Sequence, residues 1–371
     1  MDEEGGRSIT HERSRLIVNP VMDPPTKKTV DLKVVLMISA VVVSFLLLCL
    51  SSNNTIGQIL TNSSSFYSSN PTASQLPQVE EDDLIHDEHY ELRKALKAAA
   101  TKENTVILTT LNEAWAKPNS TFDLFLDSFR NGNNTAWLLN HLLVVAVDEK
   151  AHLRCQALVP HCYLFKSNRS AEMANEAWFM TPIYLEMMWG RLAFLQTILT
   201  LGYNFVFTDT DVMWFRDPFP YFDPSVDFQT SCDGFNGNPF DLNNYPNNGF
   251  NFVRSNNRTI EFYKFWVSSR QTYPTLHEQD VFNKIKQDPY TKEIGLTFRF
   301  LDTDYFGGFC SPSKDFNKVC TMHANCCVGL DWKITDLKII LEDWKRYLSS
   351  PANQTMSSHW RAPYKCPKMN S

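Results

Sequence analysis

What the 371-residue chain lacks narrows the field first. It has no long run of Lys or Arg, and its net charge is −6 at pH 7. Nucleic-acid binding needs a basic face to neutralise phosphates, so that class is excluded. No paired C-x2-C spacing occurs among the nine cysteines, which argues against a structural zinc site. No internal repeat of about 20–50 residues is present, which removes solenoids and propellers. From Ser51 to Tyr90 there is no Lys or Arg at all, so this stretch does not read as the cytosolic flank of a membrane span. The shortage of positive charge has a corollary. An anionic ligand must be held by a metal ion or by a few placed Arg and Lys.

What is present describes a membrane-anchored globular protein. Apolar residues make up 43% and charged residues 20%, with 26 Phe and 9 Trp, enough for a large core. The length allows one large domain or two ordinary ones. Val34 to Leu50 carries no charge, and at ~1.5 Å per residue this run makes ~26 Å of helix. That length suits the thinner membranes of the early secretory route. A long leader precedes the run and no small-residue cleavage site follows it, which favours an anchor over a cleaved signal peptide. Arg7, Arg13, Arg15, Lys27, Lys28 and Lys33 precede it, so the expected topology is single-pass type II, with the bulk lumenal. Sequons at Asn53, Asn62, Asn119, Asn133, Asn168, Asn257 and Asn353 all follow the run, as lumenal exposure requires. Cys49 lies inside the run; the eight remaining cysteines permit four disulfides, with Cys155/Cys162 and Cys310/Cys320 close enough for local bridges.

The expected organisation is a cytosolic tail (1–33), an anchor (34–50), a Ser/Asn/Thr-rich stem (51–93) and a catalytic domain (94–371). Leu84–Ala100 has a helical pattern. Thr105–Thr109, Leu142–Val147 and Asn204–Thr208 are short apolar runs that predict buried strands. Asp123–Arg130, Thr135–Leu139 and Thr181–Leu201 predict helices, the last closed by Gly202. Apolar runs without strict alternation, interleaved with helices, imply an α/β fold of the Rossmann kind, whose ligands sit at the carboxyl ends of the strands.

Asp209 and Asp211 follow one such strand directly. In an extended segment residues i and i+2 share a side, so both carboxylates can reach one hard cation, Mg2+ or Mn2+. Such a cation would supply the positive centre that an acidic protein otherwise lacks for a diphosphate. Asp302-Thr303-Asp304 repeats the pattern, but Gly307-Gly308 and Cys310 follow it closely, which reads as a structural, bridged loop.

Beyond this pair a longer likeness emerges. Residues 201–219 (LGYNFVFTDTDVMWFRDPF) resemble the signature of the plant nucleotide-diphospho-sugar transferases of glycosyltransferase family 77. So do Asn247-Asn248-Gly249-Phe250-Asn251-Phe252-Val253, His277-Glu278-Gln279-Asp280-Val281-Phe282-Asn283 and Met322-His323-Ala324-Asn325-Cys326-Cys327. The resemblance covers about residues 93–348. It implies a GT-A fold, in which a Rossmann-like mixed sheet is flanked by helices, together with a nucleotide-sugar donor, Mn2+ dependence and retention of anomeric configuration. Carried onto this chain, it makes Asp209, Asp211 and His323 the metal ligands, with Thr210 at the donor. Asn247 and Asn248 match the block that lines the donor sugar and acceptor, and amide side chains suit sugar hydroxyls. Glu278-Gln279 matches an Asp-Gln pair that approaches the anomeric carbon, here one methylene longer. Arg191 stands where similar transferases hold the nucleotide or phosphate with a base. Lys333 can meet a donor phosphate as a point charge. Thr110 and Asn112 are placed at the nucleotide base by position alone.

The resulting expectation is metal-assisted transfer of a pentose or hexose from a UDP-sugar to a cell-wall polysaccharide or glycoprotein, with front-side attack by the acceptor hydroxyl. Two other readings stand beside it. D-x-D-x-V after an apolar strand also opens haloacid-dehalogenase-type phosphatases, with Asp209 as nucleophile and Asp211 as acid/base. A catalytically silent lumenal scaffold that assists other Golgi transferases is the third.

Overall fold

Residues with apolar neighbours on both sides build the centre of the molecule. A computed structural model describes residues 89–167, 169–350 and 359–366. The expected cytosolic tail, the anchor and nearly all of the stem lie outside the described residues. Among the described residues no helix is long and apolar enough to cross a membrane.

Among the described residues there are ten strands: β1 (Thr105–Leu111), β2 (Leu142–Ala146), β3 (His161–Leu164), β4 (Asn204–Thr208), β5 (Val212–Trp214), β6 (Phe228–Gly234), β7 (Tyr245–Val253), β8 (Phe298–Phe300), β9 (Phe306–Gly308) and β10 (Thr321–His323). Seven of them form one sheet in the order β3-β2-β1-β4-β7-β6-β8. The pairs β2–β3, β1–β2, β1–β4 and β6–β8 are parallel, with registers such as Ile107 opposite Leu142 and Ile107 opposite Val206. Only β7 runs against its neighbours, antiparallel to both β4 and β6. The chain builds outward from β1 to β3, then returns to place β4 on the other side of β1. This reversal opens a crevice at the carboxyl ends of β1 and β4, where α/β sheets bind ligands. The fold is therefore mixed α/β around a mainly parallel sheet, as the sequence pattern implied.

Alternate residues of the strands feed two cores. Ile107, Leu142, Val144 and Val206 pack on one face with Phe122, Phe125, Phe129 and Trp214. On the other face, Val106, Leu108, Leu143, Phe205 and Phe207 pack with Leu192, Leu195, Ile198 and Leu199. The principal helices are α1 (Tyr90–Ala99), α2 (Thr121–Asn131), α3 (Glu149–Gln156), α4 (Pro182–Thr200), α5 (Asn257–Ser268), α6 (Glu278–Ile285) and α7 (Leu330–Ser349). In α1, Leu92 and Leu96 are buried, so packing already begins there. Thr181 caps α4 by accepting from the Tyr184 amide, Pro182 occupies its first turn, and Gly202 ends it at a φ of 87°. The predicted 135–139 helix is a 3-10 turn, Ala136–His141.

A second, three-stranded sheet has the order β5-β10-β9. Among the described residues three disulfides form. Cys155–Cys162 is the bridge expected from spacing. Cys310 pairs with Cys326 and not with Cys320, and Cys327 pairs with Cys366. The expectation failed because Cys320 leads into β10 and is fully buried in the core, whereas Cys326 lies in a left-handed turn beyond that strand. Cys232 and Cys320 remain buried thiols, so the fourth expected bridge is absent among the described residues.

Candidate active site

The site starts at the end of β4. The Asp209 amide donates to the Gly249 carbonyl at 2.8 Å, and the Val212 amide turns back to the Asp209 carbonyl at 3.2 Å. The chain then enters β5, which pairs antiparallel with β10 so that Val212 faces His323. The Ala324 amide donates to the Asp211 carbonyl at 3.0 Å and locks this register. The chain between Asp211 and His323 is thus closed, and an imidazole stands beside two carboxylates. His323 Nε2 is 3.2 Å from Asp211 Oδ1 and 3.9 Å from Asp209 Oδ2. One donor atom from each of Asp209, Asp211 and His323 lies within 4.8 Å of the others. Gly249 makes this approach possible: a Cβ there would lie 2.4 Å from His323 Cε1 and 2.7 Å from Asp209 Oδ2. Two carboxylate oxygens and an imidazole nitrogen are a donor set that suits Mn2+, and these residues fit such an ion.

Two cations flank the carboxylates. Lys333 Nζ sits 2.5 Å from Asp211 Oδ2. Arg191 Nη1 donates to Asp209 Oδ1 and Nη2 to Glu278 Oε1, both at 2.9 Å, with the guanidinium 4.7 Å above the Phe207 ring. These neighbours separate the two aspartates electrostatically. Burial would push the Asp211 carboxyl up, but Lys333 and His323 outweigh it and hold the group well below the usual range. At Asp209 burial prevails over Arg191, and the carboxyl is raised. Beside them opens a cavity of about 210 Å³, lined on one wall by Val145, Met173, Met187 and Phe194. Its polar wall holds Thr110, Asn112, Arg191, Asp209, Thr210, Asp211 and Lys333. A mostly apolar pocket that ends in charged groups suits a small organic moiety carrying an anionic tail.

The sequence profile of nucleotide-diphospho-sugar transferases matches residues 137–337. The chain belongs to that family. An uncharacterised Arabidopsis thaliana protein is 51% identical over 280 residues, which is 75% of this chain and 74% of the relative. The Arabidopsis UDP-D-xylose:L-fucose alpha-1,3-D-xylosyltransferase 3 is 26% identical over 244 residues, 61% of each chain. Among solved structures, an active-site mutant of LgtC aligns over 62% of this chain and 94% of its own, with 11% identity and a TM-score of 0.41.

In this family member the remaining expected residues fall into two groups. Asn247 and Gln279 converge on a residue that sequence reasoning passed over, Asp233. Its Oδ1 accepts from Asn247 Nδ2 at 2.8 Å and from Asn325 Nδ2 at 2.7 Å, and its Oδ2 accepts from Gln279 Nε2 at 3.3 Å. Gln279 Oε1 also accepts from the Asn248 amide at 2.9 Å. The signal for Asp233 was present in the sequence: an acid at the carboxyl end of strand β6, the criterion that singled out Asp209. Cys310 and Cys326 lie near Asp233, but their sulfurs are bonded to each other and offer no thiolate to a metal. The side-chain carboxamide of Asn248, unlike its backbone amide, is buried and has no partner among the described residues.

Two residues are occupied differently from what was expected. Asn112 is the N-cap of the short helix Glu113–Ala116. Its Oδ1 accepts from the Trp115 amide, and its Nδ2 donates to the Met173 and Asn175 carbonyls. It shapes the cavity wall with an amide already committed to backbone. Glu278 is 2% exposed at its side chain, with Oε1 on Arg191 and Oε2 2.9 Å from His277 Nε2. Burial would raise its carboxyl; His277 and Arg191 overcome that and bring it down to about 2. His277 Nδ1 accepts from the Gln279 amide, so Nε2 carries the proton, and Tyr184 OH lies 2.9 Å from it. Glu278 therefore anchors Arg191, and through it Asp209. Asp302 and Asp304 form a separate surface turn, with Asp304 paired to Lys318 at 3.4 Å.

Proposed function

We propose that the chain is a Mn2+-dependent, retaining glycosyltransferase of GT-A type. It moves a pentose or hexose from a UDP-sugar to a cell-wall glycan or glycoprotein, and segment 34–50 holds it in the Golgi membrane as a type II protein. The observation that carries this reading is the convergence of Asp209, Asp211 and His323 beside a cavity whose other charged groups are Arg191 and Lys333. The related xylosyltransferase is named for a UDP-xylose donor, which supports a pentose.

Asp209, Asp211 and His323 would hold Mn2+, or Mg2+ in its place. When bound, such a cation neutralises the charge that builds on a departing diphosphate. Lys333 brings a second positive charge to the same edge of the cavity, preorganised against the Trp115 ring at 5.5 Å. Thr110, Thr210 and the apolar wall enclose the nucleotide side and exclude water. Arg191 fixes the orientation of Asp209, and Glu278 fixes Arg191. Asn247 and Gln279 are held on Asp233, and the unpartnered side-chain amide of Asn248 beside them is the group that would read a sugar hydroxyl. Both oxygens of Glu278 face cationic or hydrogen-bonding groups, which leaves it poorly placed as a nucleophile. The course proposed is attack by the acceptor hydroxyl from the leaving-group face with retention of configuration, and Asp280 is the acid of this block left for a covalent route.

The test is a panel of UDP-sugars incubated with the full chain in detergent, with and without Mn2+, followed by NMR of the product anomer. We expect Mn2+-dependent turnover with retention, abolished in Asp211→Ala while the circular dichroism spectrum is preserved. Inverted product would remove the front-side course. Phosphomonoester hydrolysis without sugar release would favour the phosphatase reading. Absent turnover in a chain that still co-purifies with other transferases would favour the scaffold.

A further inference from the structure

Two short segments at the mouth of the cavity expose aromatic rings to solvent. One leads into α4: Trp178 is 62% exposed and Phe179 54%. The other opens α7, where Trp332 is 49% exposed. Each segment also contributes to the cavity, the first through Ala177 and Tyr184, the second through Lys333. They are tied together, because the Leu330 amide donates to Glu176 Oε1 at 3.0 Å.

The exposure is built into the fold. The Thr181 amide and hydroxyl both donate to the Trp178 carbonyl, at 3.1 and 2.6 Å, which closes a turn around the two rings. Met180 inside that turn takes a φ of 65°, a left-handed conformation that a residue with a Cβ adopts only when its surroundings impose it. Phe179 packs edge-on against Tyr184 at 5.3 Å between centroids and lies 5.8 Å from His277. Phe179 therefore abuts the chain of contacts that leads from His277 through Glu278 and Arg191 to Asp209.

We infer that Trp178, Phe179 and Trp332 form a platform that binds the carbohydrate acceptor. The inference rests on the transferase reading and names where its second substrate docks. Sugar rings carry apolar C–H faces edged by hydroxyls, and indole and phenyl faces match the first while polar neighbours match the second. Glu176 stands two residues before Trp178 and holds the Leu330 amide two residues before Trp332, so a carboxylate accompanies the exposed rings where the two segments meet. An acceptor must reach the donor at the cavity, and this surface is continuous with its mouth. A second protein lying flat on it would close that mouth.

The test measures glycan binding directly. Soluble arabinan, xylan and rhamnogalacturonan fragments serve as probes, titrated against the intrinsic fluorescence of the full chain in detergent. Trp178→Ala and Trp332→Ala are expected to weaken binding of the best probe at least tenfold each, with no change in the thermal midpoint. Trp178→Phe should recover most of the loss. Tyr364→Ala, an exposed aromatic away from the cavity, serves as the unaffected control. Unaltered affinity in both alanine variants overturns the proposal. So does a wild-type chain that binds none of the probes, or a wild-type dimer that Trp178→Ala dissociates. Should wild type bind a probe through these residues yet turn over no UDP-sugar, the platform stands and the transferase reading fails.

Discussion

Gly249→Ala tests the core of the site with a single methyl group. The position lies in β7, where an alanine would ordinarily be tolerated and would gain about 0.5–1 kcal/mol over glycine from backbone entropy. Here the added Cβ would meet His323 Cε1 at 2.4 Å, Asp209 Oδ2 at 2.7 Å and Asn247 Oδ1 at 2.9 Å. Ordinary contact begins near 3.4 Å, so the imidazole must retreat by about 1 Å (3.4 minus 2.4). Overpacking of this kind costs about 1–3 kcal/mol, which against that gain leaves a net destabilisation of about 0–2.5 kcal/mol. The larger effect falls on function. A displacement of about 1 Å separates the donor atoms of Asp209 and His323, and misplacement on that scale costs roughly 100-fold in rate. Mn2+ affinity by electron paramagnetic resonance should drop at least tenfold, and UDP-sugar turnover should approach that of Asp211→Ala. A Gly249→Ala protein with Mn2+ affinity and turnover within twofold of wild type would refute the assignment of this cluster as the metal site.

Three further outcomes follow from the same geometry. Lys333→Met removes the cation that lies against Asp211, so Mn2+ should bind roughly tenfold tighter to the nucleotide-free protein while UDP binds more weakly; looser Mn2+ binding by resonance titration would contradict this. Glu278→Gln breaks a buried ion pair at a cost of about 3–5 kcal/mol. Because the Glu278 carboxyl is lowered from 4.5 to about 2, its contribution is complete above pH 4.5 and disappears as pH falls toward 2. Denaturant curves of variant and wild type should therefore differ by a constant amount from pH 7 to 5 and converge in acid, and a gap that widens in acid would refute the pairing. Replacing Cys310 and Cys326 together by Ser opens a loop with a separation of 16 residues, worth about 3 kcal/mol. It should also lower Mn2+ affinity, since His323 lies three residues before Cys326; an unchanged melting point and an unchanged affinity would show that the bridge does not brace the site.

Much of the fold was legible because it depends on local pattern. The strands β1, β2 and β4 are unbroken apolar runs, and α4 announces itself through Thr181, Pro182 and Gly202. Asp209 and Asp211 were legible for the same reason, as acids at the end of such a run. The features that escaped depend on long-range closure. Strands β5, β9 and β10 are three residues each, too short for any period to show, yet β10 carries His323 to the aspartates. Asp233 looks like one more surface acid until β6 and β7 bring Asn247 to it. Asn112 was read from its position after a strand, while the backbone of Met173 and Asn175, some sixty residues away, claims its amide. Cysteine spacing favoured Cys320 for Cys310, but the burial of Cys320 in the core decided otherwise.

The consecutive half-cystines Cys326 and Cys327 pull in opposite directions, one toward Cys310 and the other toward Cys366. They act as a fixed post between two guy-lines, with the imidazole of His323 hung just upstream. Reduction of either bridge would cut one of those lines and leave the short strand that carries His323 braced from one side only.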